Sequence, residues 1–219
     1  MNADGSGKTR VSFAGGGRNE QANWSPDGSK IAYSHGPDNL WVVNADGTNE
    51  TNLSVQGRFP AWSPDGSQIA YQSGPGTPGG QLWVMNSDGT NKQRVDPFTD
   101  SSTSGDSVQD APLGWSPDGT KIAFLSYADQ SKVSIITLAD SGVVKVSGVC
   151  PTCQDHARFL SWSPDGSKIL INCNSQEGRS RICVMDSDGS NTTMIPTPNL
   201  PEAALRGYGP HISGASWSN

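Results

Sequence analysis

The string Trp-Ser-Pro-Asp-Gly occurs four times without change, at Trp24–Gly28, Trp62–Gly66, Trp115–Gly119 and Trp162–Gly166. A fifth copy opens at Trp217-Ser218 before the chain ends at Asn219. Successive tryptophans stand 38, 53, 47 and 55 residues apart. A strict string at that period marks an internal repeat, in which each unit is too small to bury its own apolar face and must stack on a neighbour.

The local chemistry of the string predicts its shape. A short run leads into each Trp, as in Phe59-Pro60-Ala61 and Phe159-Leu160-Ser161. Ser-Pro-Asp-Gly then forms a tight turn. Pro presets φ at the first central position, Asp bonds to nearby backbone, and Gly takes the positive φ that closes a hairpin. After the turn come Lys-Ile-Ala-Tyr (30–33), Gln-Ile-Ala-Tyr (68–71), Lys-Ile-Ala-Phe (121–124) and Lys-Ile-Leu-Ile (168–171), all short strand-formers. A third strand recurs as Leu40–Val43, Leu82–Met85, Val133–Ile136 and Ile182–Met185. Three of these copies run into a second turn, Ala-Asp-Gly or Ser-Asp-Gly, at 45–47, 87–89 and 187–189. In the first unit the expected strands are Ala22–Ser25, Lys30–Ser34, Leu40–Asn44 and Glu50–Ser54.

Tandem four-stranded antiparallel units of this length predict an all-β fold, a β-propeller with four complete blades and a split, incomplete fifth. The tryptophan is the expected wedge between neighbouring blades. A β-sandwich is the rival packing, but sandwiches do not repeat one turn string. Only 33% of the residues are hydrophobic, against 26 Gly and 15 Pro. In an unpatterned chain this would read as disorder; here Gly and Pro fall at turn positions. The net charge is −6 with no basic run, which tells against nucleic acid. No apolar stretch approaches the roughly 20 residues of a membrane helix. Met1-Asn2-Ala3-Asp4-Gly5 aligns with Met85–Gly89 and Met185–Gly189, so the sequence starts in mid-unit. Residues 1–219 are therefore expected to be one propeller domain, a section of a longer propeller protein, with Thr9–Phe13 as the last strand of the unit before the first.

The pattern W-S-P-D-G-x-[KQ]-I-A-[FY] followed by L-W-V-[MV]-[ND]-x-D-G resembles the TolB-type propeller repeat, a relative of the WD repeat. The resemblance covers nearly the whole chain. It implies an exported, six-bladed propeller, periplasmic or extracellular, with protein partners in the cell envelope, as for bacterial TolB. Similar blades form non-catalytic domains of prolyl-oligopeptidase-like enzymes and sugar lyases. Against that family pattern, residues 1–219 are expected to lack the separate N-terminal domain of TolB and to hold strand material for about five blades.

Long connections at 97–112, 147–159 and 196–211 each link the fourth strand of one unit to the first of the next, and so project from one end of the array. Binding residues concentrate on such loops. Six residues before each Trp stand Arg18, Gln56, Gln109, His156 and His211; four before stand Glu20, Arg58, Ala111, Arg158 and Ser213. Symmetry puts equivalent positions in a ring at the channel mouth. The predicted partner-binding set is Arg18, Arg58, Gln109, His156, Arg158 and His211; the plain alternative is a solvated rim.

Four cysteines point to an oxidising compartment. A hairpin centred on Gly178 is expected to set Cys173 opposite Cys183, close enough to bridge, and Cys150 and Cys153 can close a small loop disulfide. Cys150, Cys153 and His156 also have metal-like spacing, but structural zinc takes four ligands and no fourth is near. Haem attachment would need His where Gln154 stands. Asp186–Asn191 resembles the start of a calcium loop without its closing Glu, so a hairpin turn is the better reading. Asn23, Asn49, Asn52 and Asn191 begin glycosylation sequons. There is no G-x-S-x-G elbow, the three histidines are scattered, and no carboxylate pair is placed by local spacing. The sequence thus predicts a non-enzymatic exported module, without cofactor or metal, that binds a protein or glycan at its loop-bearing end. Two rivals remain open: an accessory propeller of a hydrolase or lyase, and a structural subunit whose strand edges, Thr9–Phe13 and Ile212–Ser218, join copies into an oligomer or filament.

Overall fold

The computed structural model describes residues 10–12, 19–36, 38–73, 80–96, 112–126, 132–138, 160–174 and 180–195. Every regular element among them is a β-strand, and all pairings are antiparallel. The first unit comprises β1 (Asn19–Trp24), β2 (Lys30–His35), β3 (Asn39–Asn44) and the first half of β4 (Thr51–Trp62). The second half of β4 opens the next unit, followed by β5 (Gln68–Ser73), β6 (Leu82–Asn86) and β7 (Gln93–Arg94). The third unit holds β8 (Gly114–Trp115), β9 (Lys121–Ser126) and β10 (Lys132–Thr137); the fourth holds β11 (Leu160–Trp162), β12 (Lys168–Asn174), β13 (Ser180–Asp186) and β14 (Thr193–Met194).

Two details depart from the sequence reading. The expected break between the fourth strand of unit one and the first strand of unit two is absent, since β4 runs unbroken. It pairs with β3 through Thr51, Asn52 and Gln56 and with β5 through Gly57, Arg58, Ala61 and Trp62. The handover falls at Gly57, where only a hydrogen fits: a β-carbon there would meet Tyr71 Cδ2 at 2.5 Å and the Gln72 carbonyl at 2.9 Å. The expected strand around Thr9–Phe13 is not regular over Arg10–Ser12. Val11 nonetheless packs against the first unit's Ile31, Tyr33 and Val43, and Ser12 Oγ donates to the Tyr33 hydroxyl at 3.1 Å.

Strand alternation gives every sheet two apolar faces, and consecutive sheets share them. Ala32, Leu40, Val42, Leu53 and Val55 of the first unit bury against Trp62, Ile69, Tyr71 and Met85 of the second. Ala61, Ala70, Leu82 and Val84 of the second meet Trp115, Ile122, Phe124 and Ile136 of the third. Ala123, Leu125, Val133 and Ile135 of the third meet Trp162, Ile169, Ile171 and Met185 of the fourth. The core therefore lies between sheets, not within one.

Each of these interfaces is keyed in the same way. Trp62 Nε1 donates to the carbonyl of Asn23 at 3.3 Å, Trp115 Nε1 to that of Ala61 at 3.0 Å, and Trp162 Nε1 to that of Gly114 at 3.0 Å. The acceptor is always the residue just before the preceding unit's tryptophan. One turn further on, glycine faces proline: β-carbons built on Gly66, Gly119 and Gly166 would lie 3.7, 3.7 and 3.5 Å from Cδ of Pro26, Pro64 and Pro117. Consecutive opening strands are neighbours, β1 beside β4, β4 beside β8 and β8 beside β11.

The expectation that every tryptophan is a wedge needs one correction. Trp62, Trp115 and Trp162 are buried at 8–9% exposure, but Trp24 is 56% exposed. The cause is positional, because no described sheet precedes the first unit to receive it. Truncating a buried indole removes its transfer energy and leaves a cavity, about 3–5 kcal/mol, whereas an exposed site costs within about 0.5 kcal/mol. Urea unfolding of dilute protein is expected to show Trp62→Ala and Trp115→Ala losing several kcal/mol and Trp24→Ala almost none.

Candidate binding surface at the loop-bearing end

The two ends of the array differ in chemistry. β1, the second half of β4, β8 and β11 all run into Ser-Pro-Asp-Gly turns, and β3, β6 and β13 run into Asp-Gly turns at the same end. The β2–β3 link and the departures toward each following unit lie at the other.

The turn end is locked by a repeated network. In the first unit Gly28 N–H donates to the Ser25 carbonyl at 2.9 Å with Gly28 at φ +70°. Ser25 Oγ donates to Asp27 Oδ1 at 2.6 Å and accepts from Lys30 N–H at 2.9 Å, while Ser29 N–H donates to the same carboxylate at 3.0 Å. The set recurs around Asp65, Asp118 and Asp165. The serine hydroxyl and then the neighbouring backbone N–H hold Asp27, Asp118 and Asp165 at about 2, well below the usual 3.8; Asp65 is lowered for the same reasons.

At the opposite end, Asp38 sits at φ +74°, and its carbonyl accepts from Gly57 N–H at 2.6 Å. Its carboxylate accepts from Arg58 Nε, an ion pair that ties the β2–β3 link of unit one to the opening strand of unit two. Arg94 grips Asp96 with both arms, Nη2 to Oδ1 at 3.0 Å and Nε to Oδ2 at 3.1 Å. The Asp96 carboxylate is fully buried and also accepts from Leu82 N–H at 2.8 Å. These cations are held by carboxylates, so this part of the rim is electrically balanced rather than a bare positive patch.

Deeper in, Gln21 and Phe59 take equivalent places, three residues before Trp24 and Trp62, both with left-handed backbone at φ 55° and 52°. Each lies at a bulge in its strand pairing. Such a conformation is costly for Phe and survives only where its surroundings impose it. Gln21 Oε1 imposes it here, accepting from Phe59 N–H and from Ser34 Oγ, both at 3.0 Å. A cleft of about 240 Å³ opens between these strands, lined by Gln21, Ala22, Asn23, Phe59, Pro60, Pro112 and Leu113. Apolar walls with a few fixed polar groups suit the binding of a side chain or small ring. Among the described residues no three His, Cys, Asp or Glu side chains gather as metal ligands.

Of the six predicted partner-binding residues, Arg58 alone is described; its side chain is 30% exposed and paired with Asp38. Arg18, Gln109, His156, Arg158 and His211 lie outside the described residues, as do Cys150 and Cys153. The sequence reading set Cys173 opposite Cys183, and the register corrects this: Cys173 faces Arg181 and Cys183 faces Ile171, because β12 and β13 pair without a bulge and the two cysteines differ by two places. Their backbone positions are diagonal across the β12–β13 ladder. Among the described residues no cysteine is a free thiol. The Asp186–Asn191 stretch is a hairpin turn: Asp188 accepts from Ser190 N–H at 2.8 Å and Asp186 from Asn191 Nδ2 at 2.6 Å. Asp38, Asp96 and Gln21 escaped the sequence reading. Only Gly36-Pro37-Asp38, an evident turn, carried any signal.

No family model and no curated protein matches the sequence. Solved structures do. A protein assigned as TolB from Agrobacterium tumefaciens superposes with a TM-score of 0.67 at 19% identity, over 83% of this chain and 62% of that one. TolB from Acinetobacter baumannii gives 0.62 at 16% identity, over 84% and 45%. The chain has a TolB-like propeller fold. A puromycin-hydrolyzing peptidase of Mycobacterium tuberculosis also superposes, at 0.62 and 16% identity over 88% of this chain and 31% of that one. The chain thus spans less than two thirds of each of these proteins. In TolB-like terms the units are blades and the cleft lies among their opening strands. Among the described residues no helix is long and apolar enough to cross a membrane.

The locked turns generate a pH test for this TolB-like scaffold. Carboxyls with depressed folded pKa stabilise fully above their ordinary value and lose that contribution as pH falls through the folded one. The denaturation midpoint is expected to hold down to about pH 4 and to fall between the ordinary 3.8 and the held value of about 2. Replacing Ser25, Ser63, Ser116 and Ser163 by Ala lets these carboxyls titrate nearer 3.8, and should lower the midpoint already at neutral pH and shrink that fall, read by circular dichroism across an acid titration.

Proposed function

We propose that this chain is a non-enzymatic, exported TolB-like module that binds a protein or glycan partner at its loop-bearing end. On this reading residues 1–219 form one propeller domain, a section of a longer protein, with four complete blades and a split fifth. The observation that carries the proposal is the sorting of the two ends. Among the described residues every short, internally bonded Asp-Gly turn lies at one end, while the ion-paired rim of Asp38, Arg58, Arg94 and Asp96 and the apolar cleft behind it lie toward the other. Rigid scaffolds place recognition on the variable end. Arg18, Gln109, His156, Arg158 and His211 complete the ring around Arg58.

Export to the periplasm or the cell exterior accompanies this reading, with Cys173 bridged to Cys183 and Cys150 to Cys153; mass spectrometry without reductant finding four alkylatable thiols would remove that part. A second reading is favoured by the likeness to the peptidase: an accessory propeller that orients substrate for a hydrolase domain elsewhere in the same polypeptide. A catalytic domain encoded in frame with this chain would decide for it.

Binding is tested by comparing immobilised wild type with two variants on a glycan array and against envelope extract. Replacing Arg18, Arg58, Gln109, His156, Arg158 and His211 with Ala is expected to lower retention by at least about tenfold, the scale of one lost hot spot. Asp46→Ala with Asp88→Ala, at the turn end, should leave retention unchanged. Equal behaviour of the two variants would refute the assignment.

A further inference from the structure

Asp-Gly is the dipeptide at which a polypeptide most readily rearranges. The glycine nitrogen attacks the aspartate Cγ, water leaves, and a five-membered succinimide forms. Water then opens the ring at either carbonyl, giving back aspartate or leaving isoaspartate, whose main chain runs through the former side-chain carboxyl. Glycine favours the attack because it has no β-carbon in the way and its backbone turns freely. Among the described residues seven such pairs occur, at Asp27, Asp46, Asp65, Asp88, Asp118, Asp165 and Asp188, each followed by Ser or Thr.

Ring closure needs a free glycine nitrogen and a protonated carboxyl that can swing toward it. The fold withholds both, to unequal degrees. In all seven turns the glycine N–H donates to a carbonyl three residues back, at 2.8–2.9 Å. In all seven the Ser or Thr after the glycine donates its N–H to the carboxylate, at 2.8–3.0 Å. The four string aspartates have a further holder, the buried hydroxyl of Ser25, Ser63, Ser116 or Ser163 at 2.5–2.6 Å. At the corresponding place before Asp46, Asp88 and Asp188 stand Asn44, Asn86 and Asp186. Asn44 and Asn86 turn their amides to Thr48 and Thr90, both at 2.9 Å. Asp186 is worse than neutral. Its like charge opposes ionisation of Asp188, and it draws at 3.4 Å on the Ser190 hydroxyl that holds Asp188 at 2.6 Å. The Asp88 turn is restrained by the preceding blade, since a β-carbon on Gly89 would lie 3.1 Å from the Leu53 carbonyl.

We propose that Asp188–Gly189 is the site at which the folded protein first converts to isoaspartate, with Asp46–Gly47 second, and that the four Trp-Ser-Pro-Asp-Gly turns are shielded. The added main-chain carbon would displace the N–H groups of Gly189 and Ser190. It would loosen the margin of the fourth blade, where β14 pairs with β13 through Thr193 and Met194. The inference is independent of the binding reading.

Folded protein aged for weeks at neutral pH and body temperature tests it, with isoaspartate located by peptide mass spectrometry using electron-transfer fragmentation. Conversion at Asp188 and Asp46 is expected to exceed that at any string aspartate by at least about tenfold, the scale of one charge-assisted hydrogen bond. In urea the seven sites should age at similar rates, because the holders are gone. Ser25→Ala should raise isoaspartate at Asp27, with Asp118 and Asp165 of the same molecule as internal controls for folding. Thr48→Ala, in an exposed turn, should speed Asp46. An even spread over the seven sites of the folded protein, any other site converting before Asp188, or an Asp27 indifferent to loss of the Ser25 hydroxyl would each overturn the proposal.

Discussion

A single hydrogen bond at each of the three described junctions between units sets the geometry of this protein: an indole N–H reaching back to the main-chain oxygen beside the previous tryptophan. An indole buried without an acceptor would waste a donor in a dry interface. With the acceptor supplied by the neighbour's backbone, each sheet can bury its largest side chain only in one orientation and at one height relative to the sheet before it. The apolar clusters then supply most of the attraction, while the N–H fixes where it acts. The proline-to-glycine contact one turn below repeats the same registration at the surface, so inter-unit placement is specified at two heights.

The turn network serves that registration. The serine of each string is buried and satisfied on both sides, donating to its aspartate and accepting from the backbone two residues beyond the glycine. That holds the tryptophan's strand and the next strand at a fixed separation, and so aims the ring. The five residues act as one device: wedge, buried hydroxyl, φ-restricted ring, carboxylate lock and left-handed closure. This explains why the string tolerates no variation across four copies while the strands around it exchange Lys for Gln and Tyr for Phe.

Much of this was legible from the chain alone, for a physical reason. Turn chemistry is local, so Pro, Asp and Gly at fixed offsets declared the hairpins, and alternation declared the strands. The wedge role of tryptophan was readable in kind, but its failure at Trp24 depends on a neighbour and not on the residue. The unbroken β4 was hidden because what shapes the handover at Gly57, Tyr71 and the Gln72 carbonyl pressed against it, lies on another strand. The rim was least legible. Arg58 was found by counting back from Trp62, yet its partner Asp38 lies twenty residues earlier in another unit, and no local pattern links them. The diagonal offset of Cys173 and Cys183 likewise depends on register, which a two-residue difference in hairpin length decides.

The continuity of β4 has a mechanical consequence. Its twelve residues leave the outer margin of the first sheet and become the opening strand of the second without an intervening loop, fastened at the changeover by the Gly57 N–H to Asp38 bond and the Arg58–Asp38 pair. Tension applied to the rim of the first sheet would pass along one taut backbone into the next, with no slack to take up. The later sheets are joined through long connections. The first two sheets should therefore move as one stiff body under load.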